Sequence, residues 1–302
     1  MLLSNDNSIN SYSVPQKISF NLEGGLNGEY PLDLRATSSF LLYFQQLIDK
    51  SYCVISNKNR IRHTENNDYK IVVKNFTVGS LSSELMLIVE GTRLALPLIG
   101  LCNPKSIWDY TCNALDLASK FFTALHDKKS PTINIQGDNN TVIYQDNSGT
   151  HTEYPKAVYD IANKSIPVYR KMHQTLNNGN FSTFNAHGND QNIPALTLSA
   201  STPNLFNEYT IIDESPEIIF CDILRFDKET LTGKLRLLDT NFDNNNLELP
   251  FQIIGNQNPT IYIAAMNKSL VKIKAIKEVS YASLTPKVKR VQIISLLTDE
   301  ES

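Results

Sequence analysis

This chain predicts an α+β fold in two parts. An antiparallel sheet with helices on one face comes first, and a small all-β barrel or sandwich domain follows. Three observations carry the prediction. The first half alternates between stretches of period two and stretches of helical period. From about residue 208 onward, strand-like runs follow one another at short spacing with hardly any helical period. The 302 residues suffice for two domains, at roughly 100–200 residues each.

The elements follow in order. Residues 1–14 are rich in Asn and Ser and are expected to be disordered. The α+β domain is expected over 15–130. Lys17 to Glu23 alternates as a half-buried strand, closed by turn chemistry at Gly24-Gly25 and Asn27-Gly28. A helix from about Ser38 to Asp49 stacks Phe40, Phe44, Leu47 and Ile48 on one face. Tyr52 to Ile55 reads as a short strand. The polar loop Ser56 to Asp68 gathers Lys58, Arg60, Arg62 and His63. Lys70 to Phe76 and Leu81 to Val89 read as a hairpin around Gly79-Ser80. The apolar stretch Leu94 to Cys102 follows. Then comes a helix that Asn103-Pro104 starts and that runs to about His126.

Residues 131–176 are read as a β-hairpin and a kinked helix. Thr132 to Gln145 forms two short alternating strands around Gly137-Asp138-Asn139-Asn140, and Asn suits such a turn without any ligand. In the simplest register Ile133 and Ile135 face Val142 and Tyr144, and Ile143 lies on the opposite face. An isolated two-stranded hairpin is marginal in water, so its apolar residues and two free edges call for a partner. Pro155 opens a third helical pattern, which Pro167 should kink or split. Residues 177–207 are rich in Asn, Ser, Thr, Gly and Pro and read as a linker, with Ala195 to Ser199 as a strand within it. Residues 208–298 form the β domain, with strands at Ile218–Phe226, Gly233–Leu238, Leu247–Ile254, Ser269–Lys277 and Val288–Leu296.

Composition narrows the function classes. A net charge of −3 and a pI near 6.0 argue against a globally basic nucleic-acid coat. The four cysteines form no C-x-x-C pair and read as reduced, mostly buried thiols. The first residues lack a signal-peptide pattern, and the apolar stretch at 94–102 is far shorter than the roughly 20 residues that span a bilayer. A soluble, cytoplasmic protein without membrane contact is expected.

Chemistry-bearing patterns are sparse. Gly24-Gly25…Gly28 lacks dinucleotide-loop spacing, and Gly79-Ser80 has no phosphate-loop lysine. The histidines His63, His126, His151, His173 and His187 are not spaced as metal ligands. His187, in an Asn/Gly-rich stretch, is the most suggestive for catalysis. No nucleophile elbow occurs. The carboxylate pairs Asp109/Asp116 and Asp222/Asp227 read as solvated faces. No catalytic residue, cofactor site or metal site is assigned, and the reading leans away from an enzyme. The basic run Lys268, Lys272, Lys274, Lys277, Lys289 and Arg290 is the candidate nucleic-acid surface. Tyr262 and Tyr281 are placed to stack on bases. The alternative is that these lysines guard an exposed strand edge.

The α+β start with its Gly79-Ser80 hairpin, the Gly137-to-Asn140 hairpin and the small β domain together resemble uncharacterised bacterial proteins of prophages, mobile elements and defence-associated gene neighbourhoods. The resemblance covers most of the chain, implies an antiviral-defence or phage-related context and brings no catalytic residues. The expected function is therefore a non-enzymatic, homo-oligomeric interaction or scaffold protein with a protein partner. Assembly is assigned to Ile133, Ile135, Val142, Ile143 and Tyr144. The alternatives are a nucleic-acid-binding accessory factor and a hydrolase without a local signature.

Overall fold

The computed structural model describes residues 14–24, 33–61, 69–77, 81–89, 103–137, 141–146, 149, 151–178, 181–189, 195–202, 204–238 and 247–297. The turns at Asn27-Gly28, Gly79-Ser80 and Asp138 to Asn140, the stretch Leu94 to Cys102, and His63 lie outside them. Among the described residues, four helices and thirteen strands in three sheets make an α+β fold. The chain divides into two compact units between Asn207 and Glu208.

The first unit is built on a five-stranded antiparallel sheet. Its strands are β1 (Gln16–Gly24), β2 (Tyr69–Thr77), β3 (Leu81–Val89), β7 (Phe181–Gly188) and β8 (Leu196–Ser199). Their order is β2-β3-β1-β7-β8. Ile18, Phe20 and Leu22 alternate inward along β1, as period two requires. Phe20 and Phe184 of the sheet meet Phe44 of the first helix at ring centroids of 6.1 and 5.2 Å. Trp108 closes over Gly188, where a Cβ would stand 2.7 Å from the indole Nε1.

Three helices pack with this sheet: α1 (Leu34–Ile55), α2 (Pro104–His126) and α3 (Lys156–Asn178). Asp33 caps α1 by accepting from the Ala36 N–H at 2.7 Å. Asn103 caps α2 by accepting from the Ser106 N–H at 2.8 Å, with Pro104 in the first turn.

Several sequence expectations are corrected here. Tyr52 to Ile55 is not a strand but the last turn of α1. Ser51, Tyr52 and Ile55 continue the buried stripe of Phe44, Leu47 and Ile48, and that packing overrides local β propensity. Pro167 does not split α3, which runs as one helix. Pro167 is exposed, while Ile166, Val168 and Tyr169 beside it are buried and hold both turns in place. Residues 177–207 are not a linker, since they hold β7 as well as the expected strand at Ala195 to Ser199, which is β8. In β7, Phe181, Phe184 and Ala186 are buried, too few and too widely spaced among polar residues to show as an apolar run. A third strand of the hairpin sheet, at His151–Pro155, was not expected from the sequence.

That second sheet joins β4 (Thr132–Gln136), β5 (Thr141–Gln145) and β6 (His151–Pro155) in that order, all antiparallel.

The second unit contains β9 (Tyr209–Asp227), β10 (Thr232–Leu237), β11 (Glu248–Ile253), β12 (Val271–Tyr281) and β13 (Lys287–Leu297). β9 pairs with β10, β10 with β11, β11 with β13, β13 with β12, and β12 with β9 again, so the pairing closes on itself. β9 is longer than expected. It passes Pro216, which cannot donate to the ladder, where the register against β12 shifts between Ala275 and Lys277. The enclosed core includes Ile219, Cys221, Leu235, Phe251, Ile273 and Ile293. The short helix α4 (Pro259–Ala265), not foreseen from the sequence, adds Tyr262 and Ala265 to it.

Candidate functional site

The expected assembly residues are brought together, but not equally exposed. The register is the simplest one, with Ile133 opposite Tyr144 and Ile135 opposite Val142. Val142 and Tyr144 are fully covered within the chain. The Tyr144 hydroxyl donates to the Lys120 carbonyl of α2 at 3.2 Å, and the Tyr154 hydroxyl of β6 donates to Asp116 at 2.7 Å. Lys120 donates to the same Asp116 oxygen at 2.8 Å. Burial, then the Asp116 carboxylate, holds the Tyr154 phenol far above its ordinary range. β6 takes one of the two hairpin edges expected to be free.

What remains is β4. It sits at the sheet edge, and its residues are exposed except for half-buried Ile133. Ile135 is 42% exposed although its opposite, Val142, is completely buried. The sheet therefore overhangs the helices that cover it. Ile143 lies half-buried on the other face, between Asn134 and Glu153. No β4 residue carries a charge. By contrast β2, an edge strand of the larger sheet, carries exposed Lys70 and Lys74, the usual guard against edge pairing.

The basic run of the second unit separates into two groups. Lys277 pairs with Glu217, Lys289 with Glu208 at 3.3 Å, and Arg290 with Glu278 at 3.9 Å. Among the described residues, Lys268, Lys272 and Lys274 form no ion pair. Lys272 lies opposite Phe220 and Lys274 opposite Ile218 across the β12–β9 ladder. Ile219 and Ile273 between them point into the core, so these four side chains share the outer face. Phe220 is 38% and Ile218 51% exposed. The aromatic at this surface is thus Phe220, which the sequence reading missed because the strand's faces could not be assigned before its partners were known. Tyr262 is corrected: it is wholly buried and its hydroxyl donates to Gln257, so it cannot stack on a base. Tyr281 is half-buried, and burial raises its phenol.

The other singled-out residues have local roles. Asp227 accepts from the Glu229 N–H at 2.9 Å in a turn, which lowers its carboxyl. His126 meets the Leu205 carbonyl at 3.2 Å, and His151 lies 3.6 Å from Glu153. His187 is exposed on β7, opposite Ser19. His173 is buried against Phe206, and burial pushes its imidazole down to about 4. Cys112 and Cys221 are buried, and burial raises both thiols, that of Cys221 to about 12. Among the described residues no group of three His, Cys, Asp or Glu side chains could hold a metal ion, and no helix is long and apolar enough to cross a membrane.

No protein-family model matches the chain, and neither a curated protein nor a solved structure matches it significantly.

Proposed function

We propose that this is a non-enzymatic interaction protein that assembles through β4. The observation that carries the reading is an uncharged edge strand whose Ile135 projects past the helical cover. The occupant of that edge is a second copy of the same strand. Two β4 strands set antiparallel about Asn134 place Ile133 opposite Ile135 of the other copy, and Thr132 opposite its Gln136. Such a contact is self-complementary, as a twofold interface must be. It would join two three-stranded sheets through main-chain bonds without any like-charge pair. The second unit is read as a small β-barrel that meets a partner, on the strength of its closed pairing and its Phe220 face. The resemblance to prophage and defence-associated proteins supplies the biological setting for this reading.

Light scattering on the full chain tests the assembly. The wild type should show at least twice the mass of one chain. Asn134→Lys with Ile135→Lys should show the mass of one chain, with an unchanged circular dichroism spectrum, because both side chains are exposed. A wild type with the mass of a single chain at tens of micromolar overturns the reading.

A second reading is favoured by one arrangement: Phe220 and Ile218 flanked by Lys272 and Lys274. An exposed aromatic between ammonium groups is how single-stranded nucleic acid is held, through stacking and phosphate neutralisation. The three ion-paired members of the run weaken this reading, since their charges are already answered.

A further inference from the structure

The first unit holds a cleft of about 370 Å³. Its walls come from α1, from the segment just after α1 and from α3, and carry Gln46, Asp49, Lys50, Cys53, Lys58 and Lys164. We propose that this cleft binds a small, multiply charged anion bearing phosphate groups, held between Lys50, Lys58 and Lys164.

The charge balance argues for it. Among the described residues, three ammonium groups line the cleft against one carboxylate, Asp49. That carboxylate accepts from the Tyr69 hydroxyl at 2.7 Å, and burial raises it above the ordinary carboxylate range. Among the described residues, neither Lys50 nor Lys164 forms an ion pair. Lys50 is half-buried. Burial, then repulsion from Lys164, lowers its ammonium. Two like charges brought together from different helices, one of them partly desolvated, destabilise the empty cleft, and an anion between them reverses the sign of that term.

The third lysine is held in place. The Lys58 ammonium donates to the Tyr52 hydroxyl at 2.9 Å and lies 5.1 Å from the centre of that ring. Tyr52 is itself stacked on Tyr69 at 4.3 Å. Gln46 and Asn59 add neutral donors to the lining, and Ile61 is the one aliphatic side chain among the described residues there. The volume exceeds what a single phosphate fills and lies at the small end of ligand pockets. Polar and charged side chains outnumber apolar ones among the described residues of the cleft lining. These features select a compact polar molecule with two or more phosphate charges.

Inorganic pyrophosphate is the probe, titrated calorimetrically into the full chain at low ionic strength. Saturable binding at one site per chain is expected. Lys50→Gln with Lys164→Gln should weaken it at least tenfold, while the unliganded variant unfolds at the same temperature as wild type or higher, because a repulsion has been removed. Lys272→Gln with Lys274→Gln should leave binding unchanged. Absence of saturable binding to wild type, or equal weakening by both pairs of substitutions, overturns the proposal. Lys164→Gln alone, at an exposed position, gives the same answer at smaller amplitude if the double variant does not fold. This site is independent of β4, so its failure would leave the assembly reading intact.

Discussion

The three-stranded sheet and the C-terminal strand cycle bury their apolar residues by opposite means. In the cycle every strand has two strand neighbours, and inward residues from all five meet one another. The small sheet has a borrowed core, because Val142, Tyr144 and Tyr154 are covered by helices of the same unit. That cover ends before β4. A closed cycle leaves no unpaired row of N–H and C=O groups along its strands, whereas an open sheet always leaves two. Here one of the two is left uncharged. The difference is one of available contacts: where the cycle is closed it offers a partner outward side chains, and the open sheet offers its backbone as well.

The largest effect that separates the two regions is expected at Phe251. It is 1% exposed, stacks on Phe226 at 6.1 Å and lies against Gly233, where an added Cβ would stand 2.5 Å from the ring. Phe251→Ala should cost about 4 kcal/mol of stability in the second unit, within the range for large-to-small core changes. Urea unfolding followed by intrinsic fluorescence of Trp108, which lies in the first unit, should stay close to wild type. Far-ultraviolet circular dichroism should gain an early transition. A single shifted transition seen by both probes would show that the two units do not unfold independently.

Acid should act on the other side of the comparison. All five histidines lie in the first unit and none in the second. Burial lowers His173 from 6.5 to about 4, partly opposed by the Thr202 backbone. The unfolded chain then takes up a proton near pH 6.5 that the folded chain refuses until about pH 4. Stability contributed by neutral His173 is complete above pH 6.5 and is lost as the pH falls from there towards 4. The loss is at most about 3 kcal/mol. Urea midpoints of the first unit at pH 7.0, 5.5 and 4.5 should fall in that order, and His173→Phe should flatten the trend. Equal slopes for wild type and variant would remove His173 as the cause.

How far these features were legible in the sequence depended on whether their cause was local. The helix start at Asn103-Pro104, the helical stripe of Phe40, Phe44, Leu47 and Ile48, and the register of Ile133 with Tyr144 rest on spacing along one segment. The boundary near residue 208 rests on a change of periodicity. What stayed hidden depends on distant partners. β7 is a strand because β1 and the helices bury a handful of its residues. The cleft draws Lys50 and Lys164 from positions more than a hundred residues apart, and only Lys58 stood out, as part of a basic loop. The basic run looked uniform because Glu208, Glu217 and Glu278 reach it from other strands or across the ladder.

That last division gives the smallest effect on stability and the sharpest distinction between side-chain and backbone recognition. Exposed ion pairs contribute between about 0 and 1 kcal/mol, so charge changes here should barely move the unfolding midpoint. Their effect on a single-stranded oligonucleotide should differ. Lys272→Glu with Lys274→Glu removes the two charges that flank Phe220, and the slope of log affinity against log salt should fall by roughly 1 to 2. Lys289→Gln with Arg290→Gln removes charges already answered by Glu208 and Glu278, and should change affinity by less than about threefold. Phe220→Ala should weaken binding while leaving the salt slope alone, because stacking does not release counterions. Gel shifts at 25, 50 and 100 mM salt read all three. Failure of the wild type to bind at 25 mM would leave the outer face of the second unit to a protein partner. Equal losses for the two lysine-containing pairs would mean attraction to charge anywhere on the surface, without a site.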